Sequence, residues 1–544
     1  MTTRSDGMDL IEVRDLDGPN LFALRPVVKL ETRLEVDESV SDDAREITGE
    51  TLGVNISEAP LAALRDAVTA LHERAGLPAP EMGVRALDTP GHHVLFYDWP
   101  WRETALGIGR LAHLAVASGL ADDPRPALTA LLEADRGRDD RPLWIRDDQR
   151  RIPSIGVTGT NGKTTTTRMI AHILRTAGRH VGWTSTSGVY IDGEQVIEGD
   201  YTGPSGARRV LDDSSVEIAV LETARGGILL RGLAYESNDV GVFLNVSADH
   251  LDMQGVGTVE TLAAVKSVVV RVTKPDGLVV LNADDPLVLA QRSSLRAPVL
   301  LTSRSPSSEE IARHTAVGGQ AIVSDGATVW HHANGERHRL VELANVPATF
   351  NGAATHMVEN MLAAIGAAVG IGLSPEQIVD GLLTFRSDMR SNAGRLNVFR
   401  LDGRAIIVDY AHNEQGLEVL LSFARRLAGV SGRVAAIVGT AGDRQDAQLR
   451  GLGKLGATLA DRLYLKETGR YLRGREPGEV TALMHEGVVE SEHVDRLAGI
   501  FEGEHSALLA ALSDAAAGDT IAIMCLEEQL TILRELRDRG AEEW

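Results

Sequence analysis

Short, uninterrupted apolar runs alternate along most of the chain with stretches whose apolar residues recur every three or four positions. Residues 152–158 form one such run. A glycine-containing turn follows, and Met169, Ile170, Ile173 and Leu174 then share one face of a predicted helix. Further strand candidates lie at 216–221, 240–246 and 277–282, with helical stretches between them. This alternation predicts a parallel sheet covered on both faces. A polar, glycine-containing break at 387–395 precedes a second series at 404–409, 434–439, 462–465 and 520–524, again separated by helices. The first 150 residues read differently. A turn signal, Asp17-Gly18-Pro19-Asn20, precedes an alternating strand over 27–36. Leu61, Leu64, Val68 and Leu71 recur at helical spacing behind the cap candidate Ser57 and Pro60. Residues 93–97 predict a strand and 106–116 a helix, and the Arg- and Asp-rich stretch 135–149 predicts a linker or exposed surface. No low-complexity tract or short-period repeat interrupts the pattern. The expected fold class is α/β: an N-terminal mixed α+β domain over 1–150, a central parallel-sheet domain with a phosphate loop over 151–391, and a C-terminal Rossmann-like α/β domain over 392–544.

Length agrees with that division, since 544 residues at roughly 150 per domain give three to four domains. The net charge of −22 repels polyanions, so no nucleic-acid partner is expected, although a local basic pocket for a nucleotide remains compatible. The one cysteine, Cys525, excludes a disulfide within the chain and a cysteine-rich zinc site. The first ten residues are polar and lack the apolar core of a secretory signal. The longest uncharged run, near 361–375, is too short to span a bilayer. A cytoplasmic location without membrane contact is therefore expected.

The strongest local signal is Thr158-Gly159-Thr160-Asn161-Gly162-Lys163-Thr164, set between a predicted strand and a predicted helix. Glycines let backbone N–H groups approach phosphate oxygens, and the helix N-terminus adds a favourable dipole. Lys163 would neutralise terminal phosphates, and the Thr164 hydroxyl would meet Mg²⁺, with Gly159, Thr160, Asn161, Gly162 and Thr165 completing the nucleotide cradle. The general Walker pattern would put its first glycine at Val157, where it is absent. On these residues alone ATPase, kinase, GTPase and ligase all remain open.

Two later segments also leave strands with polar groups. Leu221-Glu222-Thr223-Ala224-Arg225-Gly226-Gly227 puts Glu222 at a strand's C-terminal edge, facing the ligand crevice of a parallel sheet, where its hard oxygens suit Mg²⁺. Asn245-Val246-Ser247-Ala248-Asp249-His250-Leu251-Asp252 carries a histidine that, taken alone, reads as a surface or capping group. Lys266, taken alone, reads as a solvated helix lysine. Asn360, on an alanine-rich helix, reads equally well as packing, capping or function. Asp409 and His412, in Val408-Asp409-Tyr410-Ala411-His412-Asn413, read as a strand-end turn.

The form Gly159-Thr160-Asn161-Gly162-Lys163-Thr164 resembles the Mur ligase family, which includes peptidoglycan amino-acid ligases, folylpolyglutamate synthetases and cyanophycin synthetase. The Asn245…Asp249-His250-Leu251-Asp252, Asn282-Ala283-Asp284-Asp285, Gly394-Arg395-Leu396 and Asp409-Tyr410-Ala411-His412 segments are similar to further motifs of that family. The resemblance implies that His250 and a carbamylated Lys266 help hold a second metal ion. It implies that Asn360 lies near the adenine and Arg395 reaches the nucleotide phosphates. It also implies that Asp409 contacts the ribose or orders the domain hinge, and that His412 lies near an acyl phosphate. Lys163, Lys266, His250, Arg395 and His412 form the implied catalytic set; Thr164, Glu222, His250 and Lys266 form the implied metal set. The usual proline of the last motif is absent, since the chain reads Asn413-Glu414.

Gly442-Asp443-Arg444-Gln445-Asp446, Leu472 to Glu479, Glu222 to Leu229 and the N-terminal Leu16 to Asn20 look like the cyanophycin synthetase branch. That branch places an ATP-grasp domain after its N-terminal domain; here only residues 135–151 separate the corresponding parts. The resemblance therefore implies an ATP- and Mg²⁺-dependent ligase that activates a carboxylate as an acyl phosphate and joins it to an amino acid or other amine. Small-molecule or peptide substrates and a homo-oligomer follow from the same resemblance. The alternative is a non-catalytic ATP-binding partner of a separately encoded ATP-grasp ligase.

Overall fold

The computed structural model describes residues 8–34, 59–99, 101–118, 124–135, 140–249, 251 and 254–544. Its strands gather into three sheets. The first is antiparallel, in the spatial order Met8–Leu16, Val27–Leu34, His92–Tyr97, Met82–Ala86. Helices Ala59–Arg74 and Arg102–Ala117 cover it. The stripe Leu61, Leu64, Val68 and Leu71 packs with Leu30, Leu95 and Ile108, which is the burial that the helical spacing predicts. Ser57 and the end of the 27–36 strand lie outside the described residues.

Residues 140–149 depart from the expected linker. Ile145 is buried and forms a parallel bridge with Tyr235; its N–H donates to Ala234 at 2.7 Å, and its carbonyl accepts from Glu236 at 2.9 Å. Three apolar residues, Leu143-Trp144-Ile145, within a charged stretch are too short a run to carry a period from which to read a paired segment.

The second sheet has eleven strands. Its parallel core runs Gln320–Ser324, Val299–Ser303, Thr273–Asn282, Asn238–Phe243, Ser154–Thr158, Ile218–Glu222, Val181–Ser185. Antiparallel pairs extend both edges: Thr328–Ala333 with Glu336–Glu342, and Gly188–Ile191 with Glu194–Glu198. Helices Lys163–Thr176, Thr355–Gly370 and Pro375–Thr384 bury one face. Helices Pro204–Leu211, Arg225–Leu230 and Val259–Arg271 bury the other. Strand Ser154–Thr158 lies where the order reverses, with Ile218–Glu222 on one side and Asn238–Phe243 on the other. Such a switch point opens a crevice beyond the C-terminal strand ends, and the Gly159–Lys163 turn occupies that position.

The third sheet has seven strands. Leu497–Phe501, Arg462–Lys466, Val434–Val438, Thr520–Met524 and Arg404–Asp409 are parallel, and Asn397–Leu401 and Glu542–Glu543 add antiparallel at one edge. Leu417, Leu420 and Leu421 of helix Glu414–Ala428 share one apolar cluster with Met357 and Met361 of the central helix Thr355–Gly370. That packing brings the carboxyl ends of both parallel sheets to a common cleft.

Candidate active site

Thr160 to Thr165 line that cleft from below. The backbone reaches the helix start through Gly162, whose φ of +84° disfavours any residue with a Cβ. A Cβ there would also lie 2.1 Å from Asn360 Oδ1, so the turn is fitted against the helix carrying Asn360. The Asn245 side chain pins the loop. Its Oδ1 accepts from the Thr160 and Asn161 N–H groups at 3.1 and 2.8 Å, and its Nδ2 donates to the Asn161 carbonyl at 3.1 Å. The Ser247 N–H donates to Thr160 Oγ1 at 3.0 Å. These contacts fix the backbone of Thr160 and Asn161 to the segment that follows strand Asn238–Phe243.

Lys163 Nζ donates to the Thr160 carbonyl at 2.8 Å. Burial lowers its pKa, the carboxylates of Glu222 and Asp249 oppose that shift, and the Arg395 guanidinium adds to it. The Thr164 hydroxyl donates to Glu222 Oε1 at 3.0 Å. Glu222 is buried at the end of its strand, and burial raises its pKa against the opposing charges of Lys163 and Arg395. Its second oxygen, Oε2, has no hydrogen-bond partner among the described residues.

A buried, orphaned carboxylate oxygen beside a threonine hydroxyl is a donor set suited to a hard cation. Mg²⁺ takes few protein ligands and completes its shell with water and substrate phosphates. Thr164 and Glu222 fit that demand. Among the described residues, no group of three or more His, Cys, Asp or Glu side chains forms a cage by itself. His250 lies outside the described residues.

Gly159, which opens the loop, and Lys266 behind it are not among the residues that line the cleft. Lys266 is buried on helix Val259–Arg271, and its Nζ donates to the Gly159 carbonyl at 2.7 Å. Burial takes its pKa well below that of a free lysine; Lys163 and Arg225 push the same way and Asp249 opposes.

The C-terminal domain closes the cleft from above. Arg395 donates to Thr186 Oγ1 at 3.0 Å and to Thr164 Oγ1 at 3.4 Å, with its guanidinium 4.2 Å from the Tyr410 ring centroid. Both carboxylate oxygens of Asp409 are engaged at 2.7 Å, by the N–H groups of Leu396 and Ala411. These bonds tie the end of strand Arg404–Asp409 to the residues at the junction, and Asp409 also lines the cleft. His412 lines the cleft; its Nδ1 lies 3.1 Å from the Tyr410 carbonyl and its Nε2 3.9 Å from Asp249. Arg444 also pairs with Asp249, joining the two domains. Asn413 caps helix Glu414–Ala428 through the Gly416 N–H, and its Nδ2 donates to Asn161 Oδ1 at 3.3 Å. Asn413 thus couples the missing-proline turn to the phosphate loop. Asn392 reaches Thr165 Oγ1 at 3.4 Å.

Asn360 and His356 line the far end of the cleft. Burial pushes the His356 imidazole down to about 4, partly opposed by Asp409, and its Nδ1 has no partner among the described residues. Three further participants escape a reading of the sequence. Thr186 sits in a loop without a motif. Asn245 and Asp249 belong to a motif whose histidine draws attention, although Asn245 itself holds the loop.

The parallel sheet, the loop at its switch point and the carboxylate at the next strand define a phosphate-loop nucleotide-binding protein closed by a second α/β domain. Two family models match it: the Mur ligase middle domain over residues 157–368, and the Mur ligase, glutamate ligase domain over residues 394–525. The chain belongs to the Mur ligase family. It is 44% identical over 364 residues to a cyanophycin synthetase of Crocosphaera subtropica, covering 66% of this chain and 41% of that protein. It is 29% identical over 359 residues to the UDP-N-acetylmuramoyl-L-alanyl-D-glutamate–2,6-diaminopimelate ligase of Parabacteroides distasonis, covering 64% of this chain and 68% of that one. The chain spans 41% to 44% of the length of the cyanophycin synthetases it matches. A bifunctional folylpolyglutamate synthase/dihydrofolate synthase, solved with Mn, AMPPNP and L-glutamate bound, shares the fold. Its TM-score is 0.53 at 21% identity, over 77% of this chain and 99% of that one.

Proposed function

We propose that this chain is an ATP-dependent amide ligase that activates a carboxylate as an acyl phosphate and joins it to the amine of an amino acid. The observation that carries the reading is a single cleft between two domains. It holds a phosphate loop with Lys163, a Thr164–Glu222 pair suited to a hard cation, and Arg395 delivered from the second domain. In this reading the backbone of Gly159 to Thr164 and Lys163 hold the terminal phosphates of ATP. A carboxylate oxygen attacks the γ-phosphorus, the bond to the bridging oxygen breaks, and ADP leaves. Lys163 and Arg395 stabilise the charge on the transferred group. The amine nitrogen then attacks the acyl carbon, and phosphate departs. Mg²⁺ held by Thr164 and Glu222 would neutralise phosphate charge. His412, beside Asp249, stands near the transferred group.

Several finer points belong to the same proposal. Asn360 and His356 frame the end of the cleft for the nucleotide base. Lys266 is the position for a carbamate; its burial, which favours a neutral amine, supports this. We divide the chain into domains at 1–150, 151–391 and 392–544. A cytoplasmic location is supported by a single buried cysteine and by the finding that no helix among the described residues is long and apolar enough to cross a membrane. Arginine is the first amine to try and an aspartate-rich peptide the first acid, on the similarity to cyanophycin synthetases. A homo-oligomer is part of the reading.

An ADP-release screen of amino acids against candidate carboxylates, followed by the mass of the product, tests the proposal. ADP formation that needs both acid and amine, and that Lys163→Ala abolishes, is expected. Equal ATP hydrolysis without either substrate would replace the ligase with an ATPase. Tight ATP binding with no turnover would favour the partner of a separate ATP-grasp ligase.

A further inference from the structure

The N-terminal sheet touches the central domain at the two elements that stand behind the phosphate loop. Hairpin Met82–Ala86 to His92–Tyr97 turns at residues 87–91, closed by Leu87 N–H to the His92 carbonyl at 3.0 Å and His92 N–H to the Thr89 carbonyl at 3.1 Å. Asp88, at the tip, lies against the start of helix Val259–Arg271, about 170 residues away in sequence. Its Oδ2 accepts from the N–H groups of Gly257 and Thr258 at 2.7 and 2.9 Å and from Thr258 Oγ1 at 3.2 Å. Its Oδ1 accepts from Thr261 Oγ1 at 2.9 Å. The partial burial of Asp88 would raise its pKa, but these donors outweigh it and hold the carboxyl below its ordinary range. The helix already has its own cap, Thr258 to the Thr261 N–H. Asp88 thus ties down, from another domain, the cap residue Thr258 and the residue before it, and its charge lies at the positive end of the helix dipole.

Leu87 reinforces the contact. Gly255 has a φ of +76°, and a Cβ on it would lie 2.6 Å from Leu87 Cδ1. A second contact lies nearby. Asp17 N–H donates to the Arg231 carbonyl at 2.7 Å, and Leu233 N–H to the Pro19 carbonyl at 2.8 Å, just after helix Arg225–Leu230. A Cβ on Gly18 would lie 1.9 Å from the Leu233 carbonyl oxygen, so the Asp17-Gly18-Pro19-Asn20 turn is a docking element.

An α-helix rises 1.5 Å per residue, so Lys266 lies only about 12 Å along the helix from the end that Asp88 holds. Its amine reaches the Gly159 carbonyl, the first residue of the phosphate loop. We propose that Asp88 is a positioning residue for the nucleotide site: the N-terminal domain fixes the helix start so that Lys266 meets Gly159 and holds the loop in its binding shape. This gives the N-terminal domain a role in the nucleotide cleft itself. The proposal rests on the ligase reading only for its consequence in turnover; the coupling concerns nucleotide binding.

The test is a double-mutant cycle on the full chain, with AMP-PNP and Mg²⁺ as the probe and calorimetry as the readout. Asp88→Ala is expected to weaken binding about tenfold, the scale of losing a supporting group behind a site. Asp88→Asn keeps an acceptor for the amides and is expected to stay within about threefold of the parent. In a Lys266→Ala background, Asp88→Ala should add nothing further, because its effect passes through the missing amine. Thr261→Ala removes the donor to Oδ1 and should weaken binding two- to fivefold, again only when Lys266 is present. It supplies the same reading if Asp88→Ala does not fold. Parental affinity in Asp88→Ala, or full additivity with Lys266→Ala, would overturn the proposal and leave the contact as domain glue. A parent chain that couples the two residues yet forms no amide would sink the ligase reading alone.

Discussion

The Thr164 hydroxyl donates to Glu222 Oε1 at 3.0 Å, tying the first turn of the phosphate-loop helix to the end of the neighbouring strand. The pair leaves Glu222 Oε2 without a hydrogen-bond partner among the described residues, within the electrostatic reach of Lys163 and Arg395, so the carboxylate has unused capacity for a cation. Glu222→Gln keeps the volume and an acceptor for Thr164 but removes the charge. Turnover of ATP should fall by about a hundredfold or more, with the half-saturating Mg²⁺ concentration raised. ADP release measured across a Mg²⁺ titration checks this; an unchanged titration would remove Glu222 from the ion's surroundings.

Gly162 permits no side chain on two separate grounds. Its φ of +84° costs an alanine about 1–2 kcal/mol, and the new Cβ would meet Asn360 Oδ1 at 2.1 Å. Gly162→Ala should therefore weaken nucleotide binding more than tenfold while the rest of the fold survives. Calorimetry with AMP-PNP, beside a thermal melt, separates the two effects.

His356 makes acid stability sensitive to one side chain. Its folded pKa of about 4 lies below the ordinary 6.5, so the unfolded chain binds the proton first as pH falls. Stability should drop as pH falls from 6.5 towards 4 and then level off in this component, a span on the order of 3 kcal/mol. His356→Gln should flatten that window in urea melts taken across pH. An identical slope in the variant would show that the imidazole is not held neutral.

Many of the parallel strands were legible because burial on both faces makes them continuous apolar runs. Ser154–Thr158, Ile218–Glu222, Val434–Val438 and Thr520–Met524 are buried throughout. Val181–Ser185, Val299–Ser303, Gln320–Ser324 and Leu497–Phe501 did not stand out, because their apolar residues are mixed with Gly, Thr, Ser and Gln. The edge hairpins were not legible. Glu194–Glu198 is almost wholly exposed and Glu336–Glu342 mostly so, and strands that bury one residue in several carry no period to read. At the site, the phosphate loop announces itself because its glycines, lysine and threonine are contiguous. Asn245 and Thr186 do not, since their roles arise only when separate strand ends meet. Asp88 lies further still from sequence inference, because it binds the start of a helix in a different domain. Asp409 shows the limit of a motif: its letters do not foretell that its carboxylate accepts from the backbone N–H groups of Leu396 and Ala411.

The central claim is that ATP energises a carboxylate in this cleft. Once the screen supplies an acid and an amine, the acid is labelled with ¹⁸O in its carboxyl group and the released phosphate is weighed. Transfer through an acyl phosphate places one ¹⁸O in each phosphate formed, in step with amide product. Phosphate free of ¹⁸O would mean that water, not the carboxylate, takes the phosphoryl group, and the account would fail.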